Sequence, residues 1–134
     1  MYTRVFIVEL LTGLFKANIK RIEIIRDDIV NFFLSIVESC TYLNLEIQAV
    51  VECSFDLICA CVNYNATDPI HKFFSILTAV TRLIPDTFQA LAPLLASGIS
   101  VLIAEYNRTI AVIGCWDTII EILQACLTVP HAMT

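Results

Sequence analysis

The residues of this sequence whose type and spacing could hold a metal or form a bridge are its cysteines. Six are present, Cys40, Cys53, Cys59, Cys61, Cys115 and Cys126, beside two histidines, His71 and His131. A zinc site needs paired nitrogen or sulfur ligands at short spacing. Cys59-Ala60-Cys61 has no second pair and each histidine stands alone, so no metal centre is expected. The thiols read instead as small buried hydrophobes in a reducing compartment. The alternative is a secreted, disulfide-linked helical protein carrying an apolar ligand, towards which the Asn-x-Thr sequons at Asn65 and Asn107 lean. An antiparallel pairing of Cys40 with Cys126 and of Cys53 with Cys115 fits that alternative, because gaps of thirteen and eleven residues differ by only about 3 Å of helix rise.

Acid–base chemistry fares no better. Asp27 and Asp28 are adjacent, which splays them by about 100° around a helix and does not make a carboxylate dyad. The sequence holds no glycine-rich phosphate loop and no nucleophile elbow. No catalytic residue and no cofactor are expected, and the chain does not read as an enzyme. Lys20-Arg21 is the only basic cluster and the net charge is −5, which excludes nucleic acid, whose recognition rests on neutralised phosphates.

What must position these side chains is a set of helices. The 134 residues suffice for one domain over 1–134, and 58% of them are hydrophobic, with a mean hydropathy of +0.80. So apolar a chain buries some helix all round or turns an apolar surface to a partner, a homodimer included. Near the start, Val5, Val8, Leu11 and Phe15 recur at helical spacing with Leu14 beside them, while Thr12 and Lys16 fall on another side. Glu9 interrupts the run and no small-x-small site follows, so an amphipathic first helix is expected rather than a cleaved signal. After a break at Ala17-Asn18, Ile22, Ile25, Ile29, Phe33, Ile36 and Cys40 form one stripe of a second helix. A break at Thr41 to Asn44 precedes a third, marked by Ile47, Val50, Val51, Phe55, Ile58 and Val62.

The segment Asn63 to Pro69 is a loop that ends with Asp68 as N-cap and Pro69 as first helical residue, opening a fourth helix to about Leu83. Thr87 to Ala104 then runs eighteen residues without a charge. That is near the lower limit of a membrane span, yet Gln89, Pro93, Ser97, Gly98 and Ser100 dilute the signal, and a buried central helix is expected. No stable membrane anchor is expected there or in the closing stretch Leu127 to Thr134. Gly114 suits a left-handed C-cap for this element, and Asp117 falls in the first turn of the last helix, where its charge suits the dipole.

Gly114-Cys115-Trp116-Asp117 and the apolar run to Leu123 resemble the second homology motif of the Bcl-2 family, in which Gly-Gly-Trp-Asp/Glu begins a helix closing one end of a hydrophobic groove. Cys115 stands for the second glycine. Upstream, Pro93 to Asn107 looks like the family's sixth helix, with its Pro-Leu start and Glu-Tyr finish. Thr3 to Lys16 is similar to the first helix, Ile22, Arg26 and Asp27 occupy places of the third homology motif, and Lys72 to Leu77 resembles the start of the buried fifth helix. The family's Asn-Trp-Gly-Arg signature is absent; Pro69-Ile70-His71-Lys72 stands there, with Lys72 in the arginine's role. The connections are short, as in the minimal versions that viruses carry.

The resemblance implies an all-α, Bcl-2-like bundle of seven or eight helices around a buried central hairpin. It implies an apoptosis inhibitor that sequesters the amphipathic helix of pro-apoptotic Bcl-2 relatives in a hydrophobic groove. Ile29, Phe33 and Val37 would line that groove from one side, Phe55, Ile58 and Val62 from the other, and Phe73 from its floor. Lys72 would meet the ligand's aspartate, as a point charge without arginine's fork. Gly114, Trp116 and Asp117 would form the corner, with the indole N–H on a backbone acceptor. The implied location is the host cytoplasm, reaching the mitochondrial surface through partners.

Overall fold

The structure is a computed structural model. It describes the backbone of residues 2–17, 23–63 and 67–128 and, within these, the side chains of 4–17, 26–63, 69–107 and 114–128. The side chains of Ile22, Ile25, Asn65, Asp68 and His131 therefore lie outside the described residues, as do Asn18, Lys20 and Arg21. The architecture is all-α, with α1 (Tyr2–Ala17), α2 (Glu23–Glu38), α3 (Leu45–Asn63), α4 (Thr67–Val80), α5 (Pro85–Ile113) and α6 (Trp116–Leu127). Six helices among the described residues replace the seven or eight that the family resemblance implies. Two of them are long, Leu45–Asn63 and Pro85–Ile113 at 19 and 29 residues, and the second is interrupted by non-helical backbone at Tyr106.

Helix α4 is the centre of the bundle. Ile70, Phe73, Phe74, Ile76, Leu77 and Val80 are all buried, so apolar positions cover most of its circumference. It packs on α2, α3, α5 and α6, and from the remaining side Phe15 of α1 meets Phe73 edge-on, with ring centroids 5.4 Å apart at 87°. It begins at Thr67, ahead of the Asp68 cap expected from the sequence; Pro69 still falls in the first turn, where no intrahelical acceptor awaits an N–H. It ends earlier than Leu83. The N–H groups of Thr81, Arg82 and Leu83 bond to carbonyls three residues back, a tightened last turn before Ile84-Pro85, where the proline disfavours further helix.

Helix α1 runs parallel to α3, tied at its two ends by Arg4 to Glu46 (3.4 Å) and Lys16 to Asp56 (3.0 Å). Its inward face differs from the expected one. Thr12 is buried because its hydroxyl donates to the Val8 carbonyl (2.8 Å) and no longer needs water, while Leu14 is exposed. Asn44 caps α3, its Oδ1 accepting the Ile47 N–H at 3.0 Å.

Helix α5 corrects a second expectation. It is not buried all round: Phe88, Leu91, Leu95, Ile99 and Leu102 form a single inward stripe against α3 and α6. The outer face carries Ala90, Pro93, Ser97, Ser100 and Ala104 together with Val101, 46% exposed, and is uncharged up to Glu105, which is why hydropathy alone reads the helix as uniformly apolar. Pro85–Asn107 is long and apolar enough to cross a membrane by length and composition, with 39% of its most apolar window buried in the bundle. Tyr106, at φ −129° and ψ 21°, kinks the helix before Gly114 ends it at φ +83°. The left-handed turn is the one anticipated at Gly114, and no atom lies within 4 Å of an added Cβ, so the need for glycine there is conformational rather than steric.

Candidate functional site

Seven of the eight residues expected to line a groove come together, but as core. Ile29, Phe33 and Val37 of α2, Phe55, Ile58 and Val62 of α3 and Phe73 of α4 are between 0 and 9% exposed and belong to one apolar cluster. Helix α2 lies directly on α3 and α4, and among the described residues the seam that would receive a ligand helix is closed. Phe55 is held from outside as well. A Cβ added to Gly98 of α5 would stand 2.5 Å from its ring, so the missing side chain of Gly98 is what lets α5 approach.

Lys72 is the exception, with 40% of its side chain exposed at the edge of the α2–α4 seam. Its Nζ donates to Asp27 Oδ1 on α2. That hydrogen bond, more than the charge of Lys72 or of Arg26, holds the Asp27 carboxyl below its ordinary value of 3.8. Arg26 stands beside the pair, its Nε 3.9 Å from Asp27 Oδ1 and otherwise buried without a hydrogen-bond partner. The ion pair spans 45 residues of chain, and nothing in the local pattern of either residue signals it.

At the corner, exposure changes from residue to residue along Gly114 to Asp117. Gly114 and Asp117 face solvent, Cys115 is buried and Trp116 is half-buried against the core. Asp117 sits in the first turn of α6 as expected. Among the described residues no hydrogen bond is made by the Trp116 indole, so packing rather than the anticipated backbone acceptor holds it. Cys115 does part of that work, its Sγ 3.8 Å from His71 Nδ1 on α4, joining the start of α6 to the central helix.

The cysteines occupy separate surroundings. Cys53 lies against Thr12, Cys40 donates to the Tyr42 carbonyl at 3.2 Å, and Cys126 Sγ is 3.9 Å from the Ala92 carbonyl. All six are free thiols, so neither the Cys40–Cys126 nor the Cys53–Cys115 bridge is formed. Burial pushes every one of them up, Cys61 to about 12, which keeps them protonated and poorly nucleophilic at neutral pH. Among the described residues no group of three or more His, Cys, Asp or Glu side chains converges to hold a metal.

No family model matches the chain, and neither curated proteins nor solved structures give a match. One cavity of about 240 Å³ lies at the far end of α2 from Asp27, lined by Arg4, Ile36, Ser39, Cys40, Thr41, Tyr42, Asn44 and Glu46. It is smaller than the roughly 300–1,000 Å³ of a typical ligand pocket and far too small for a helix.

Proposed function

We propose that the chain is a helical interaction protein of the Bcl-2 kind, which captures the amphipathic helix of a pro-apoptotic relative and so restrains cell death. The observation that carries this reading is the Lys72–Asp27 contact. Lys72 sits on the central helix where the resemblance puts the cation that meets a ligand aspartate, and it already holds an aspartate from α2. The corner at Gly114 to Asp117 supports the same reading, with its left-handed glycine, buried Cys115 and acidic first turn. Capture then proceeds by exchange. An incoming aspartate takes Lys72 from Asp27, α2 swings off α4, and the ligand's apolar face covers Phe33, Phe55 and their neighbours.

The magnitudes set the terms of this exchange. Uncovering Ile29, Phe33, Phe55 and Ile58 costs roughly 1.5–3 kcal/mol per side chain, a sum that the ligand helix offsets only by burying the same groups. Binding is therefore selective for helices with apolar anchors at i, i+3/4 and i+7. The test is a fluorescence-polarisation titration against a panel of helical peptides from pro-apoptotic relatives. Binding is expected, weakened by Lys72→Glu and strengthened by Asp27→Asn, with slower cytochrome c release in cells given an apoptotic stimulus. A folded protein that binds no peptide of the panel ends the reading.

A further inference from the structure

The Arg26 side chain is only 20% exposed, and its Nε is buried with no hydrogen-bond partner among the described residues, whereas Asp27 beside it on α2 is 63% exposed. A buried donor left unsatisfied is costly, and more so on a charged group. Neighbouring residues of a helix point about 100° apart, yet the length of the arginine stem carries Nε to 3.9 Å from Asp27 Oδ1, close but too far for a hydrogen bond. The same oxygen accepts the hydrogen bond from Lys72 of α4. Two cations address one carboxylate oxygen, and only one of them holds it. On the α3 side Arg26 acts on Cys61, a thiol that burial keeps neutral and that offers no anion, and Asp28, next along α2, faces solvent.

We infer that Arg26 receives Asp27 when an incoming aspartate takes Lys72, so that the carboxylate changes partner and α2 is released with its charge still held. The purpose of this exchange rests on the capture reading, while the change of partner is a property of the free chain. Arg26 and Asp27 belong to one helix, so they travel together when α2 swings off α4 and Lys72 stays behind. Rotation of the Asp27 side chain towards Nε closes the remaining distance of about 1 Å and satisfies a donor that the closed form leaves bare. In the closed form Lys72 is paired and Arg26 Nε is not. In the open form both are paired, Lys72 with the ligand and Arg26 with Asp27.

Arg26 is thus a positioning residue, which touches Asp27 and not the ligand. It favours release of α2 twice over, through the hydrogen bond gained in the open form and through the unsatisfied donor carried in the closed one. Asp27 is exposed enough for water to screen the pair, so the effect on peptide affinity is modest, about three- to fivefold. The competing account makes the guanidinium simple packing between α2 and α3. Removing it would then lower stability, and would act the same whether or not residue 27 carries a carboxylate.

Proton–nitrogen NMR of the arginine Nε–H groups at neutral pH tests the change of partner in the free, whole chain. The Arg26 resonance, assigned by its loss in Arg26→Met, is expected to move downfield in Lys72→Met and in Lys72→Ala, and to return when Asp27→Asn is added to either. A resonance unmoved by both, or one still shifted once the carboxylate is gone, overturns the inference whatever the peptides do. In the fluorescence-polarisation titration, Arg26→Met is expected to weaken peptide affinity about three- to fivefold without lowering the urea midpoint, and to have no effect in an Asp27→Asn background. Equal weakening in both backgrounds, or a lowered midpoint, makes Arg26 a packing residue and overturns the inference as well. Should no peptide bind, the capture reading falls, and the Nε–H resonance still decides whether Asp27 changes partner.

Discussion

Phe55 of α3 packs its ring onto the bare backbone of Gly98 on α5, so closely that a methyl group at Gly98 would come within 2.6 Å of three ring carbons. The contact is one of the points at which α5 is held to α3. Gly98→Ala therefore sets a helix-propensity gain of about 1 kcal/mol against overpacking of typically 1–3 kcal/mol. The ring is confined by the core and cannot swing clear at little cost, so the variant is expected to be less stable by about 1 kcal/mol in urea denaturation. Pairing it with Phe55→Leu, which vacates the contested space, is expected to recover part of the loss.

Phe33 is 0% exposed, and this changes what its truncation reports. Phe33→Ala is expected to cost about 3–5 kcal/mol of stability, the range for a buried aromatic. Urea midpoints measured beside peptide affinity separate the two roles. If peptide binding falls while the midpoint holds, Phe33 faces a groove that is open in solution and not the closed seam described above.

The carboxyl of Asp27 is held below its ordinary value of 3.8 by the Lys72 hydrogen bond. The unfolded chain therefore takes up this proton first as pH falls. The stabilisation is complete above about 3.8 and disappears as pH drops through the lowered folded-state value. Hydrogen exchange at the α2 amides, compared between the wild type and Asp27→Asn from neutrality down through the carboxylate range, is expected to differ at neutral pH and converge in acid. Lys72→Met is expected to reproduce the variant's behaviour.

Cys61 behaves in the opposite sense. Burial pushes its thiol up to about 12 against a smaller pull from Arg26, starting from an ordinary value of 9.0. Stability contributed by the neutral thiol is full below pH 9 and declines as pH rises from there, by at most about 1.4 kcal/mol per pH unit. Cys61→Val, close in volume and without a proton to lose, is expected to flatten the alkaline limb of a melting-temperature profile. Equal alkaline loss in both proteins would place its origin elsewhere.

Helical periodicity determined a great deal. The Ile29–Phe33–Ile36 and Phe55–Ile58–Val62 stripes, the break before Leu45 and the glycine turn at Gly114 are all local, set by spacing of about 3.6 residues and by backbone sterics, and each is found where the residues put it. Which apolar face meets a neighbour is not a local property. Helix α1 offers two apolar sides, and only packing on α3 decides that Thr12 goes in and Leu14 stays out. Helix α5 reads as wholly apolar until α3 and α6 take one stripe of it and leave Val101 and the small residues outside. The seam is closed rather than open because α2 lies on α4, joined by Lys72 and Asp27 across 45 residues. Such contacts depend on how whole helices are brought together in space, which no window of sequence contains.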